Sequence, residues 1–266
     1  MVQRLARETL SPFACGKAMA DISPEPCSTG SHALIPLELI DTAQLPDGGT
    51  LRLMHRGPEF SILFGRNELM SSRVRGSEQA LATLACERLR GRTRPRMLIG
   101  GLGMGFTLGA ALGALPANAV IVVGELVPEI VDWAKGPLAH LFGGTLADPR
   151  VSVQIRDIHD LIVTARPGYD AILLDVDNGP DGLIHIANDR LYGQPGLRAA
   201  HSALNPGGVL AIWSAYPDKA FADRLRRTGF AVEELKVRAT GGRKGAHHII
   251  WLATRPDRHD GTGAMQ

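Results

Sequence analysis

Short apolar runs alternate with helical spacing through most of the chain. From Arg96 onward, strand-like runs fall at 97–100, 120–124, 151–155, 170–175, 208–213, 230–237 and 247–253. Between them, apolar residues recur at helical intervals over 105–114, 127–141, 191–204 and 217–228, with a short stretch near 158–163. This alternation predicts parallel strands joined by right-handed helical crossovers, a doubly wound α/β sheet. Only Ala239-Thr-Gly-Gly-Arg-Lys-Gly245 separates the last two runs, so those should pair antiparallel as a hairpin.

The first third of the chain follows another pattern. Residues 1–31 are rich in Pro, Ser, Gly and Cys without a sustained period, and read as a disordered or loosely docked tail. Leu34–Ile40, Thr50–His55 and Glu59–Phe64 then follow as short alternating stretches. The turn formers Pro46-Asp-Gly-Gly49 and Arg56-Gly-Pro58 separate them, which predicts a small antiparallel β-meander over 32–75. Ser77 to Arg90 reads as a helix with Ala80, Leu81, Leu84, Ala85 and Leu89 on one face and Ser77 as its N-cap. The expected organisation is tail 1–31, meander 32–75, an α/β domain 76–255 and a short tail 256–266.

Composition narrows the function classes. The 266 residues suffice to bury a core without metal or disulfide. Lysine and arginine total 29 against 27 acidic residues, a balance that argues against a nucleic-acid surface. Cys15, Cys27 and Cys86 lack metal-binding spacing, and so sparse a set fits a reducing compartment. No apolar run approaches the roughly 18 residues that span a bilayer. The start lacks the apolar core of a secretory signal, so a cytoplasmic protein without membrane contact is expected.

Candidate chemistry gathers at the ends of the strands. Met97-Leu-Ile-Gly-Gly-Leu-Gly-Met-Gly105 reads as strand, glycine turn and helix start. Gly101, Gly103 and Gly105 let the chain turn and a ligand approach. Glu125, ending the next strand, is placed to accept hydrogen bonds from ribose hydroxyls. A P-loop signature is missing, and Met104 and Phe106 put bulk where a pyrophosphate would need space. A phosphate-free nucleoside such as S-adenosylmethionine tolerates that bulk better; a nicotinamide-linked oxidoreductase is the weaker rival. Asp157 follows the strand at 151–155 and would either accept from an adenine amino group or cap the short helix at Ile158. Asp175 ends a wholly apolar strand, where burial would raise its pKa toward that of a useful base. Asp177 and Asn178 follow in a Gly-Pro turn and are candidates for substrate contact or for turn chemistry alone. Tyr216, just after another strand, would either touch substrate or pack as an amphipathic aromatic. His247 and His248 share an apolar strand, so at least one should face a core or a helix. No metal site is expected.

Taken in order, these segments resemble the spermidine synthase family of class I S-adenosylmethionine-fold transferases, from about Leu34 to Arg255. The likeness rests on Glu68-Leu-Met-Ser-Ser-Arg-Val-Arg-Gly-Ser-Glu78, Leu98–Gly105, Glu125 with Asp157, Tyr169-Asp-Ala-Ile-Leu-Leu-Asp175, and Leu204-Asn-Pro-Gly-Gly-Val-Leu210. It implies a Rossmann-like class I methyltransferase fold with a seven-stranded mixed sheet, preceded by a small antiparallel β domain. It further implies S-adenosylmethionine or its decarboxylated form as co-substrate, a small-molecule acceptor such as an amine, and a homodimer. By the same resemblance Glu125 holds the ribose, Asp157 the adenine, Asp175 takes a proton from the attacking amine, and Tyr216 orients that amine. Three departures stand out. The family's glycine-loop aspartate falls on Gly103, its Tyr-His-Glu run is replaced by Glu78-Gln-Ala-Leu-Ala-Thr83, and its second aspartate falls on Asn178, with Asp177 adjacent. The nucleoside half of the pattern is retained and the polyamine half altered. Methyl transfer, or a non-catalytic nucleoside-binding paralogue, therefore stands beside aminopropyl transfer.

Overall fold

The computed structural model describes residues 35–46, 48–166, 168–175, 190–240 and 245–257. Asp177, Asn178, Cys15, Cys27, Arg243, Lys244 and the 1–31 segment lie outside the described residues. From Ile35 on, the chain packs as one compact unit.

A four-stranded antiparallel sheet comes first, with β1 (Glu38–Gln44), β2 (Thr50–Arg56), β3 (Glu59–Phe64) and β4 (Asn67–Ser71) in sequential order. β1 starts four residues later than the alternation from Leu34 suggests. β4 is set off from β3 by the two-residue turn Gly65-Arg66, with Phe64 paired to Asn67. Helix α1 (Gly76–Arg88) connects to the larger sheet. Ser77 is not its N-cap: the helix begins at Gly76, no side chain caps it, and Ser77 is buried with its Oγ 2.9 Å from Nδ1 of His248. A tertiary hydrogen bond has taken the hydroxyl that the local pattern assigns to the helix end.

The seven-stranded sheet comprises β5 (Arg96–Gly100), β6 (Val120–Glu125), β7 (Val151–Ile155), β8 (Tyr169–Leu174), β9 (Leu204–Ser214), β10 (Ala231–Arg238) and β11 (His247–Thr254). Its order is β10-β11-β9-β8-β5-β6-β7. The pairs from β9 to β7 are parallel, and β10 and β11 form the expected antiparallel hairpin on the β9 edge. Central strands lack polar alternation because helices cover both faces; all six residues of β8 are buried.

Helices α2 (Phe106–Ala114), α3 (Pro128–Lys135), α4 (Ala139–Phe142), α5 (Ile158–Val163), α6 (Gln194–Ala203) and α7 (Lys219–Arg227) complete the described elements, with a 3-10 turn at Thr145–Ala147. The single helix read over 127–141 is two. It breaks at Gly136, whose successor Pro137 disfavours helical backbone in the preceding residue.

Each face of the large sheet carries its own apolar core. Met97, Ile99, Ile121, Val123, Ala171 and Leu173 pack with α1, α2, α3 and the four-stranded sheet. Leu98, Val122, Ile172 and Leu174 pack with α5, α6 and α7. The small sheet is tied down at Asp41, whose carboxylate accepts a 2.7 Å hydrogen bond from Nε1 of buried Trp133 on α3. At its other edge the small sheet reaches the carboxyl ends of the parallel strands, where Met70 of β4 meets Gly103.

Candidate active site

Strand order lines up the candidate residues. Along the carboxyl edge, Asp175 follows β8, the glycine turn 101–105 follows β5, Glu125 ends β6, and Asp157 lies just past β7. In open α/β sheets this edge is where ligands bind.

The glycine turn and Glu125 form a single hydrogen-bonded unit. Glu125 is only 8% exposed. Its Oε2 accepts from Leu102 N and its Oε1 from Val127 N, both at 2.9 Å. Burial pushes its pKa up, while bonds from backbone N–H groups around it act against that rise. Four backbone N–H groups, of Leu102, Gly103, Leu126 and Val127, thus surround the two carboxylate oxygens. Gly103 and Gly105 take φ of +50° and +80°, a region that side chains disfavour. A Cβ on Gly103 would stand 2.9 Å from Sδ of Met70, and one on Gly105 would stand 2.4 Å from the Phe142 ring. The turn is therefore packed from outside as well as bent. At the far end, Asp157 does cap α5: Oδ1 accepts from His159 N at 2.8 Å, and Oδ2 pairs with Arg190 at 3.1 Å.

The β8 end is built differently. Thr107 Oγ1, at the start of α2, donates to Oδ2 of Asp175 at 2.7 Å. Desolvation lifts the Asp175 carboxyl to about 6, against the opposing effect of that hydrogen bond. Beside it, Glu78 from the first turn of α1 is lifted to about 9, by burial first and by the neighbouring Asp175 charge second. Oε2 of Glu78 is buried and has no hydrogen-bond partner among the described residues.

Two cavities meet here. One, about 10 Å³, lies against the glycine turn and Thr107. The other, about 220 Å³, opens between β4 and the large sheet, with Glu68, Val74, Ser77, Trp213 and His248 among its walls. Met70, Glu78 and Asp175 line both. The Trp213 and His248 rings meet edge to face at 4.7 Å. Burial lowers the His248 pKa, and the adjacent His247 adds to that, which favours a neutral imidazole on this wall.

The structure thus gathers Gly101, Gly103, Gly105, Glu125, Asp157 and Asp175 along one edge. Tyr216 stands apart: it is 74% exposed, lines neither cavity, and its backbone is pinned by Ser214 Oγ. Sequence reasoning missed Glu78, Met70 and Thr107 as site residues. For Glu78 a signal existed, because it sits at helical spacing from buried Leu81, Ala82 and Ala85. Met70 and Thr107 carried none, since their partners lie in other elements. Among the described residues, no group of three or more His, Cys, Asp or Glu side chains is arranged to hold a metal ion, and no helix is long and apolar enough to cross a membrane.

Comparison with known proteins places this edge in context. Over 121 residues the chain is 32% identical to a polyamine aminopropyltransferase of Synechococcus sp., a stretch covering 44% of this chain and 36% of that one. The chain therefore spans little more than a third of that relative's length. The spermidine synthase of Thermotoga maritima superposes with a TM-score of 0.65 at 15% identity, covering 82% of this chain and 72% of that one. A spermidine synthase in complex with the transition state analogue AdoDATO gives 0.64 at 17% identity, with the same coverage. No family model matches the chain. Over nearly half its length the chain is similar in sequence to a polyamine aminopropyltransferase, and its small antiparallel sheet followed by a seven-stranded mixed α/β sheet is the fold that the resemblance implies.

Proposed function

We propose that this protein is a transferase that binds S-adenosylmethionine or its decarboxylated form and alkylates a small nucleophile, with aminopropyl transfer to an amine as the leading reaction. The carrying observation is the order of groups along the carboxyl edge, Asp157, Glu125, glycine turn, Asp175. That order follows the order of parts in an adenosine with a 5′ substituent: adenine toward Asp157, ribose toward Glu125, and the sulfur-bearing tail across the glycine turn toward Asp175. The likeness to aminopropyltransferases and the AdoDATO complex of a structural neighbour support the same class of ligand.

The donor supplies a sulfonium: the amine nitrogen bonds to the carbon beside sulfur, the C–S bond breaks, and methylthioadenosine leaves. The protein's part is to align the reactants and receive the proton. Asp175, lifted to about 6 and steadied by Thr107, is ionised at neutral pH yet more basic than an exposed aspartate. It takes the amine's proton as the C–N bond forms. The large chamber beside Asp175 receives the acceptor. Tyr216 orients the acceptor only if it turns in from its exposed position.

Methyl transfer from S-adenosylmethionine is the second reading, favoured at one place. Gly103 offers no carboxylate to a donor tail, and the Met70 thioether covers that spot. The thioether product separates the two. Incubation with each donor and a panel of amines, followed by mass spectrometry, yields methylthioadenosine for aminopropyl transfer and S-adenosylhomocysteine for methyl transfer. Binding of methylthioadenosine without turnover of any donor would leave a non-catalytic nucleoside binder.

A cytoplasmic homodimer belongs to the same reading. Cys86 is a free, buried thiol, as a reducing compartment allows. Ile35, Leu37, Leu39 and Ile40 are exposed on and just before the edge strand β1, an apolar strip suited to a second copy. Light scattering that shows a monomer at micromolar concentration ends the dimer.

A further inference from the structure

One group at the site has no role in that scheme. Glu78 comes from α1, outside the strand ends that carry the other candidates. Its Oε2 is buried without a partner among the described residues, and the residue borders both the small cavity at the glycine turn and the large chamber. A buried acceptor left unpaired costs stability, and one that lines a cavity is open to completion by a ligand, an ion or an ordered water. Met70 closes the space over Gly103, so no carboxylate can serve from the glycine turn. The Trp213 indole also lines the chamber, a surface that favours a nearby cation.

We propose that Glu78 is the ammonium-binding residue of this site, its unpaired Oε2 taking the terminal ammonium of a small alkylamine at the junction of the two cavities. The ammonium belongs either to an aminopropyl tail on the nucleoside or to the acceptor, and both reach this junction from their own cavity. The inference rests on the nucleoside reading above for the first source and only on the chamber for the second. The titratable groups lining the junction and chamber are Asp175 from β8, Glu68 from β4 and His248 from β11. The raised position of Glu78 and Asp175 supports the assignment, since the empty pair retains a proton that an arriving cation would displace.

The test is calorimetry on the full chain and on Glu78→Gln with three probes. These are methylthioadenosine, which has no ammonium; decarboxylated S-adenosylmethionine, which has one on its tail; and 1,4-diaminobutane added to protein saturated with methylthioadenosine. Glu78→Gln should leave methylthioadenosine affinity within about twofold and weaken one or both ammonium probes about tenfold or more. The probe that suffers identifies the source. In the native protein that probe should also release a proton, seen as a binding enthalpy that changes with the buffer's ionisation enthalpy; in Glu78→Gln the release should vanish. Equal weakening of all three probes, no weakening of either ammonium probe, or failure of the native protein to bind either one overturns the proposal. Failure of the native protein to bind methylthioadenosine overturns the nucleoside reading instead, and 1,4-diaminobutane is then tested on the free protein. If Glu78→Gln does not fold, Glu78→Leu takes its place, with the same outcomes deciding.

Discussion

The two ends of the crevice hold their carboxylates in opposite ways. At the Glu125 end both oxygens accept backbone N–H groups, one from the glycine turn and one from the residue that leads into α3. The carboxylate is part of the scaffold, and a ligand adds to a finished arrangement. At the Glu78–Asp175 end two acids share a desolvated space, one oxygen is unpaired, and both pKa values are raised. Here the ligand would complete what the protein leaves open. Carboxylates with raised pKa values in a cleft are the candidates for proton transfer, whereas a carboxylate bonded into the backbone holds its place.

The comparison breaks first at Asp175. Asp175→Asn should lower kcat about 10²–10⁴-fold, the usual worth of a positioned base, with methylthioadenosine affinity little changed. In the native protein kcat/KM should rise with pH through about 6 as the Asp175 carboxyl loses its proton, and steady-state rates across pH 5–8 read this directly. Equal loss of nucleoside affinity in the variant would mean that the two ends are not separable.

Glu125→Ala should act in the other sense, lowering both nucleoside affinity and stability. It strands the Leu102 and Val127 N–H groups, at about 1–3 kcal/mol for each that water cannot reach. Chemical denaturation measures the stability part. A variant as stable as the native chain would show that Glu125 is not part of the scaffold.

A smaller effect sharpens the contrast through pH. The Glu78 carboxyl titrates at about 9 in the folded chain against an ordinary 4.5. Between those values the folded state binds more protons than the unfolded one, so stability from this group is full below about 4.5 and declines as pH rises toward about 9. Glu78→Gln should remove that decline, seen as a flatter plot of melting temperature against pH; Glu125 and Asp175 contribute slopes of the same sign and remain as background.

The smallest change is expected at Tyr216. With the side chain 74% exposed, Tyr216→Phe should leave stability within about 0.5 kcal/mol. An altered acceptor KM at unchanged folding would show that the ring turns into the chamber; unchanged kinetics would leave it a surface residue.

The order of strands and helices was legible from periodicity alone, because burial on one face or both leaves its period in the local sequence. All seven strands of the large sheet, the terminal hairpin and the glycine turn were visible in this way. So were the positions of Glu125 and Asp157 at the carboxyl edge, since both are marked by their places at the ends of apolar runs. Local reading erred where a local signal met a tertiary claim. Ser77 looks like a cap and instead meets His248 from the opposite end of the chain, and the helical spacing of 127–141 hides the break before Pro137.

The Glu78–Asp175 end could not be read that way. Met70 over Gly103, Thr107 on Asp175, Glu78 beside Asp175 and Asp41 with Trp133 each join residues from different elements, the first and last across the two sheets and the other two between helices and the end of β8. A raised pKa and a cavity belong to an assembled environment, not to a residue type, because both depend on which atoms exclude water from the site. The one-dimensional pattern therefore carried the scaffold and the Glu125 end of the crevice, and the packing of helices and sheets from distant parts of the chain created the Glu78–Asp175 end.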